Sequence, residues 1–472
     1  MAFRFAPNNS FKPNLLRHTN NMAEKACHVV GSATQVGLTQ ALGLASCTSA
    51  NRRSVGILIR YRKLRMLFDP ARHEPLAQSA WDERSAIAAI ERIVRDAEAK
   101  FSEESYWPLH PEDRQGPDDA RMYETSLYDG ACGVFWALEY LQKVGAIHSN
   151  SRYRCVYPDL LERNRVLLGA AAERNRASYL LGDTPIHMLE FGRRPAEIDV
   201  ALYDLIANNT EHPSRELMMG APGTLLAALF LHEKTGAECW SKLFRRTADR
   251  LWSQLEWSPE HKCAFWTQNF GHGPSNYLDA VHGFVAAAIP LSRGRHLLPK
   301  AKWNAWLRCV VNTVQRTADH EGTNVNWRPQ LDRTPDASKK LLQFCHGAPG
   351  FVVCLSGLEA PELDALLLYA GETIWSAGPL QKGSNLCHGT AGNGYAFLKL
   401  YRRTKDPCWL HRARLFAMHA IDQADTEARR HGHFRYSLWT GDLGLAVFLW
   451  DCIVGQARFP TLDVFYASSG EA

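Results

Sequence analysis

The chain has 472 residues, 46% of them hydrophobic and 22% charged, with 14 Trp and 33 Gly; this is ample core material and excludes disordered and fibrous classes. No run of about 20 apolar residues is available to span a membrane. The net charge of +5 is uneven, because residues 1–68 carry ten Lys or Arg and one acid, Glu24, whereas the remainder holds 44 bases against 48 acids. A mildly acidic body offers no electrostatic basis for binding nucleic acid.

Residues 1–68 lack helical periodicity and read as a disordered basic arm or an over-long translation start, with Met66 as the alternative start. Globular composition begins at Leu67-Phe68-Asp69-Pro70, so residues 69–472 are expected to form one domain. The apolar stretch Phe3 to Ala6 is too short for a secretory signal. Most of the 12 Cys sit singly among apolar residues, as in Val352-Val353-Cys354-Leu355. Ten of them therefore read as buried thiols in a reducing cytoplasm.

From about Ala80 the chain reads as helix after helix. Ser85 to Phe101 places apolar residues three and four apart with charges between them, which predicts an amphipathic surface helix. Long alternating β-branched runs are missing, which argues against an extended sheet.

A short element then recurs seven times: Gly-x-x-Gly followed by an apolar helix. The copies are Gly130-Ala-Cys-Gly133, the degenerate Gly182-Asp183-Thr184-Pro185, Gly220-Ala-Pro-Gly223, Gly283-Phe-Val-Ala286, Gly347-Ala-Pro-Gly350, Gly389-Thr-Ala-Gly392 and Gly441-Asp-Leu-Gly444. First glycines lie 52, 38, 63, 64, 42 and 52 residues apart, which fits one helical hairpin per unit. Helices that are apolar nearly all round must be buried. The glycines are expected to permit close approach and φ > 0 at each helix start. No polar capping repeat is evident, so a closed ring fits better than an open solenoid.

Three copies carry His directly before the first Gly: Val281-His282-Gly283, Cys345-His346-Gly347 and Cys387-His388-Gly389. In a pseudo-symmetric ring these positions converge at one end. Two thiols and up to three imidazoles form a zinc-type donor set, and helix N-termini aimed there favour thiolates. The competing reading is a set of turn residues with buried Cys, since 42 residues between the two Cys is no zinc-finger spacing.

Leu386-Cys387-His388-Gly389-Thr390-Ala391-Gly392-Asn393-Gly394-Tyr395-Ala396-Phe397-Leu398, with Phe344-Cys345-His346-Gly347-Ala348-Pro349-Gly350 and the closing Ala457-Arg458-Phe459-Pro460, resembles the lanthionine synthetase C-like family over about residues 75–472. The style is that of its stand-alone bacterial members. The resemblance implies an all-α fold, an α/α toroid of seven inner and seven outer helices. It further implies one zinc ion on Cys345, Cys387 and His388 with an open fourth position for a thiol. The implied chemistry is addition of that thiol, from peptide Cys or glutathione, to dehydroalanine or dehydrobutyrine in a peptide. His282 would be the proton donor to the enolate, and Glu216 would orient it. Lys382, Arg435, Tyr436 and Ser437 match thiol-ligand-binding positions, and His346 would hydrogen-bond near the metal. The partners implied are a dehydrated peptide or protein and glutathione. Two other functions compete: a zinc protein that binds a thiol without turnover and, more distantly, an α/α-toroid glycoside hydrolase pairing Glu216 with Asp129 or Asp183.

Overall fold

In a computed structural model, the described residues are 67–114, 121–148, 156–169, 172–193, 199–271, 273–332 and 340–467. Apart from Leu67 and Phe68, the basic segment 1–68 lies outside them. So do Cys27, Cys47 and Cys155.

Helices alternate between two layers. The outer ones are α1 (Glu83–Lys100), α3 (Tyr157–Leu168), α5 (Asp199–Asn208), α7 (Glu238–Ser253), α9 (Lys300–Thr317), α11 (Asp364–Ala377) and α13 (Pro407–His431). The inner ones are α2 (Ala131–Lys143), α4 (Thr184–Arg193), α6 (Ala221–Thr235), α8 (Ala288–Arg293), α10 (Ala348–Leu355), α12 (Thr390–Thr404) and α14 (Asp442–Val454). Each inner helix packs on the next, and α14 packs back on α2, so the ring closes. The fold is an α/α toroid. Three two-stranded hairpins are the only sheets among the described residues: β1–β2 at 256–265, β3–β4 at 268–275 and β5–β6 at 318–327.

Sequence pattern explains the layers. In α1 the buried residues Ala86, Ala89, Ile90, Ile93, Val94 and Ala97 make one stripe, and the Asp82 carboxylate caps the backbone N–H groups of Arg84 and Ser85. Inner helices such as α6 instead bury Ala221 through Leu231 without a break. Two outer helices, α7 and α13, begin in solvent, which corrects the reading of ten buried thiols. Cys239 and Cys408, each the second residue of an outer helix, are exposed, and the nine described cysteines are all free.

The repeated glycines serve close approach more than left-handed geometry. A Cβ at Gly223 or Gly392 would overlap the carbonyl oxygen of Leu217 or Leu386, six residues earlier in the loop that feeds the helix. The first glycines are extended at five of the inner helix starts, with φ between −134° and −95°. Gly347 has φ +107°, so only this one among them meets the expectation of positive φ. Where Ala286 replaces the second glycine, the chain runs through a 3-10 turn, Phe284–Ala287, before α8 begins.

After α14 the C-terminal segment folds into the ring. Phe459 stacks on Phe344 with centroids 4.6 Å apart and lies 5.4 Å from Trp439. Farther along, Tyr179 and Trp136 donate hydrogen bonds to the carbonyls of Thr461 and Phe465. The toroid is therefore a filled core. Among the described residues no helix is long and apolar enough to cross a membrane.

Candidate functional site

The loops that feed the inner helices meet at one end and are laced together by backbone. Tyr128 N–H donates to Leu180 O (3.1 Å), Leu180 to Met218 O (3.0 Å) and Leu217 to Val281 O (3.0 Å). Cys345 donates to Cys387 O (3.0 Å), Cys387 to Trp439 O (2.9 Å) and Trp439 back to Tyr128 O (3.0 Å). The remaining interface, between the loops ending at Gly283 and Gly347, is crossed farther from the glycines by Leu278 N–H on Pro329 O (2.8 Å) and Leu331 N–H on Asn276 O (3.0 Å), and beside them by side chains: His346 Nδ1 donates to Asp279 Oδ2 at 2.7 Å. Cys345 and Cys387 thus occupy equivalent positions two residues before their glycines. Position rather than local spacing unites them.

Each sulfur has a dedicated donor. The Tyr128 hydroxyl donates to Cys387 Sγ (2.9 Å) and the Gln343 amide to Cys345 Sγ (2.9 Å). Burial pushes the Cys345 thiol well above the usual range, and the adjoining Cys387 pushes it further. Burial holds His388 far below the usual imidazole value, helped by the charges of Lys382, Arg435 and Arg72. Its ring has no hydrogen-bond partner among the described residues, although its backbone N–H is held by Asn385 Oδ1 (3.0 Å).

These donors fit zinc chemically: two adjoining sulfurs that already accept hydrogen bonds, as metal thiolates do, and a neutral, uncommitted imidazole. Geometrically the set is incomplete. Among the described residues no three His, Cys, Asp or Glu side chains gather as a metal centre. The structure brings the two thiols together and leaves the His388 ring out of ligand arrangement.

Beside the sulfurs stand two imidazole–carboxylate pairs. His282 Nδ1 donates to Glu216 Oε2 at 3.3 Å. Burial lowers the His282 pKa, but the Glu216 hydrogen bond and charge outweigh it and the net shift is upward. His346 behaves likewise, burial being outweighed chiefly by Asp279. The two rings lie 6.2 Å apart, with Tyr277 at 5.9 Å and 6.3 Å from them and Phe270 edge-on to His282 at 5.7 Å. Glu216 also caps its own turn: Met218 N–H donates to Oε2, and Met219 and Gly220 N–H donate to Oε1. It is a buried carboxylate rather than an exposed loop charge.

The other sequence candidates are dispersed. Arg435 forms a two-pronged ion pair with Asp113. Tyr436 turns outward to Asp96 of α1 (2.6 Å), and Ser437 pairs with Thr440 inside its loop (2.8 Å). Lys382 is exposed at the rim, and its pKa is lowered by desolvation and by Arg72. Asp183 is locked by Arg165 and Arg176 at 2.8 and 2.9 Å, which removes it as a free carboxylate. Asp129 accepts a hydrogen bond from Ser126 (2.6 Å).

Sequence reasoning missed Asp279, Tyr128, Gln343 and Arg72. A polar residue stands four positions before every first glycine: Ser126, Ser178, Glu216, Asp279, Gln343, Asn385 and Ser437. That column would have found Asp279 and Gln343. Tyr128 stands in the column of Cys345 and Cys387. Arg72 had no signal, since it reaches Gln343 Oε1 (3.2 Å) from 271 residues away.

Comparison with known proteins follows the same residues. The family model described as lanthionine synthetase C-like protein matches residues 121–464. Glutathione S-transferase LANCL1 of Danio rerio is 39% identical over 199 residues, which are 40% of this chain and 46% of that protein. LanC-like protein GCL1 of Arabidopsis thaliana is 37% identical over 136 residues, 26% of this chain and 31% of its own. The chain thus spans less than half the length of these curated relatives. Among solved structures, a nisin cyclase aligns over 81% of this chain and 98% of its own at 12% identity, with a TM-score of 0.48.

Proposed function

The chain belongs to the lanthionine synthetase C-like family, and from that premise we propose that it adds a thiol to a dehydroamino acid in a peptide, forming a thioether. The observation that carries this reading is the juxtaposition of two hydrogen-bonded sulfurs with the Glu216–His282 pair. In this reading Cys345, Cys387 and His388 would hold one zinc ion, which would lower the pKa of an incoming thiol so that it ionises at neutral pH.

The thiol sulfur bonds to the β-carbon of dehydroalanine or dehydrobutyrine, and the displaced π electrons leave an enolate that takes a proton at the α-carbon. His282 gives that proton. With Nδ1–H held by Glu216, its Nε2 is the nitrogen left to act, and the Glu216 hydrogen bond and charge favour the protonated ring over burial. Phe270 and Tyr277 wall the ring and limit water. Arg72 and Lys382 at the rim suit the carboxylates of glutathione, as the name of the Danio rerio relative also favours. Binding without turnover is the weaker reading, because holding a thiol needs no carboxylate-tethered imidazole.

The test pairs metal analysis with turnover. Purified protein should hold one zinc per chain, and both Cys345→Ala and Cys387→Ala should lose it. Glutathione and a dehydroalanine peptide should give a thioether product by mass spectrometry, and His282→Ala should keep zinc while losing product. Full zinc in both cysteine variants would overturn the ligand set, and undiminished product from His282→Ala would overturn its role.

A further inference from the structure

We propose that Ser214, seated by the buried His212, is a positioning residue for the Glu216–His282 pair; this rests on the proton-donor role of His282 proposed above. A hydrogen-bonded chain runs inward from the site. His282 Nδ1 donates to Glu216 Oε2 (3.3 Å), Ser214 Oγ donates to Glu216 Oε1 (3.0 Å), and Ser214 Oγ lies 2.9 Å from His212 Nδ1. Ser214 and Glu216 are fully buried and His212 is 8% exposed.

Backbone strain aims this chain. Arg215, between Ser214 and Glu216, has φ +46°, the left-handed region that a long side chain rarely enters. That twist sits between the two residues whose side chains pair. The Arg215 guanidinium holds it by donating to the carbonyls of Pro213 (3.3 Å) and Thr267 (2.5 Å).

The carboxylate's donors explain why the hydroxyl matters. Met218, Met219 and Gly220 all belong to the turn that Glu216 caps. Ser214 is the one side-chain donor to Glu216 besides His282 among the described residues, and it fixes Oε1 so that Oε2 stays on the imidazole. His212 Nδ1 accepts the Ser214 backbone N–H (3.3 Å) and lies 2.9 Å from its Oγ, so the imidazole seats the serine against the carboxylate.

The experiment uses the full-length, zinc-loaded protein with glutathione and a dehydroalanine peptide. Ser214→Ala should lower kcat on the order of tenfold, the loss of one hydrogen bond to a charged group, with KM for glutathione and zinc content unchanged. Ser214→Thr, which keeps the hydroxyl, should retain kcat, and His212→Leu should match Ser214→Ala while His212→Asn, which keeps an acceptor for the Ser214 N–H, falls between. Independently of turnover, the downfield Nδ1 proton resonance of His282, identified by its loss in His282→Ala, should shift or broaden in Ser214→Ala and His212→Leu. An unmoved resonance in both variants overturns the proposal even if activity falls. If the wild type makes no thioether, the reaction assignment fails, and the resonance alone decides whether Ser214 positions the pair.

Discussion

Replacing Asp279 tests how the ring of loops is held where a side-chain bridge joins the loops ending at Gly283 and Gly347. The carboxylate is fully buried and accepts three hydrogen bonds: from His282 N–H (2.8 Å) and Val281 N–H (3.1 Å) on Oδ1, and from His346 Nδ1 (2.7 Å) on Oδ2. Alanine removes all three and strands a buried imidazole whose charge the carboxylate supports. Removing one partner of a buried pair costs about 3–5 kcal/mol. Asparagine keeps an acceptor for the two N–H groups and loses only the charged contact, which costs about 1.5–3 kcal/mol. Ser126 stands in the same column but bonds within its own loop, its hydroxyl donating to Asp129 and accepting from the Tyr128 and Asp129 N–H groups, so Ser126→Ala should cost about 1.5–3 kcal/mol, less than Asp279→Ala. Urea unfolding followed by tryptophan fluorescence measures all three, the slope reporting whether the same surface is exposed. An Asp279→Ala midpoint equal to wild type, or no larger a loss than Ser126→Ala, would refute the bridging role.

Other expectations follow from single contacts. Tyr128→Phe removes the hydroxyl that donates to Cys387 Sγ; zinc affinity should fall about 10- to 100-fold in chelator competition, and unchanged affinity would dissociate Tyr128 from the metal. Gly223→Ala drives a Cβ into the Leu217 carbonyl and should cost at least about 1–3 kcal/mol. By contrast, Gly357→Ala, with open space around it, should be neutral or stabilise by about 0.4–1 kcal/mol. Burial raises the Asp451 carboxyl from 3.8 to about 7, against the opposing Arg458 contacts. The native state therefore binds more protons than the unfolded chain between those values, and stability should fall as pH rises from about 4 to about 7, by about 4 kcal/mol at 1.36 per unit. Asp451→Asn should abolish that slope and be the more stable protein at pH 8; an identical slope would refute the assignment.

The ring itself was legible because its repeated helices impose one steric demand. Every inner helix must start against the loop that feeds it, so glycine marks the same place again and again, and apolar runs mark what is buried. Chemistry was legible only where residue types repeated, as in the two Cys-His-Gly copies. Asp279 and Gln343 escaped because their column changes identity from serine to acid to amide, so no motif survives in it. Arg72 escaped for a different reason: it lies in the strap Leu67–Leu76, tied to the site by Gln381 N–H on Arg72 O and Glu74 N–H on Pro379 O. Sequence distance hides such a neighbour. The positive φ expected at each first glycine was the wrong reason for the right residue, since the backbone there is mostly extended and the constraint is space.

Because the lacing between loops is made by main-chain N–H and C=O groups, it is indifferent to which side chains the loops carry. The positions one and two before each glycine act as interchangeable sockets on a fixed bezel: Asp129, Leu181, Met219, His282, His346, His388 and Thr440 in one circle, Tyr128, Leu180, Met218, Val281, Cys345, Cys387 and Trp439 in the other. Reagents can be swapped around that dial without retooling the frame. The sockets now holding Leu181 and Met219 face no such duty, and they are where a new reactive group could be installed with the least cost to the barrel.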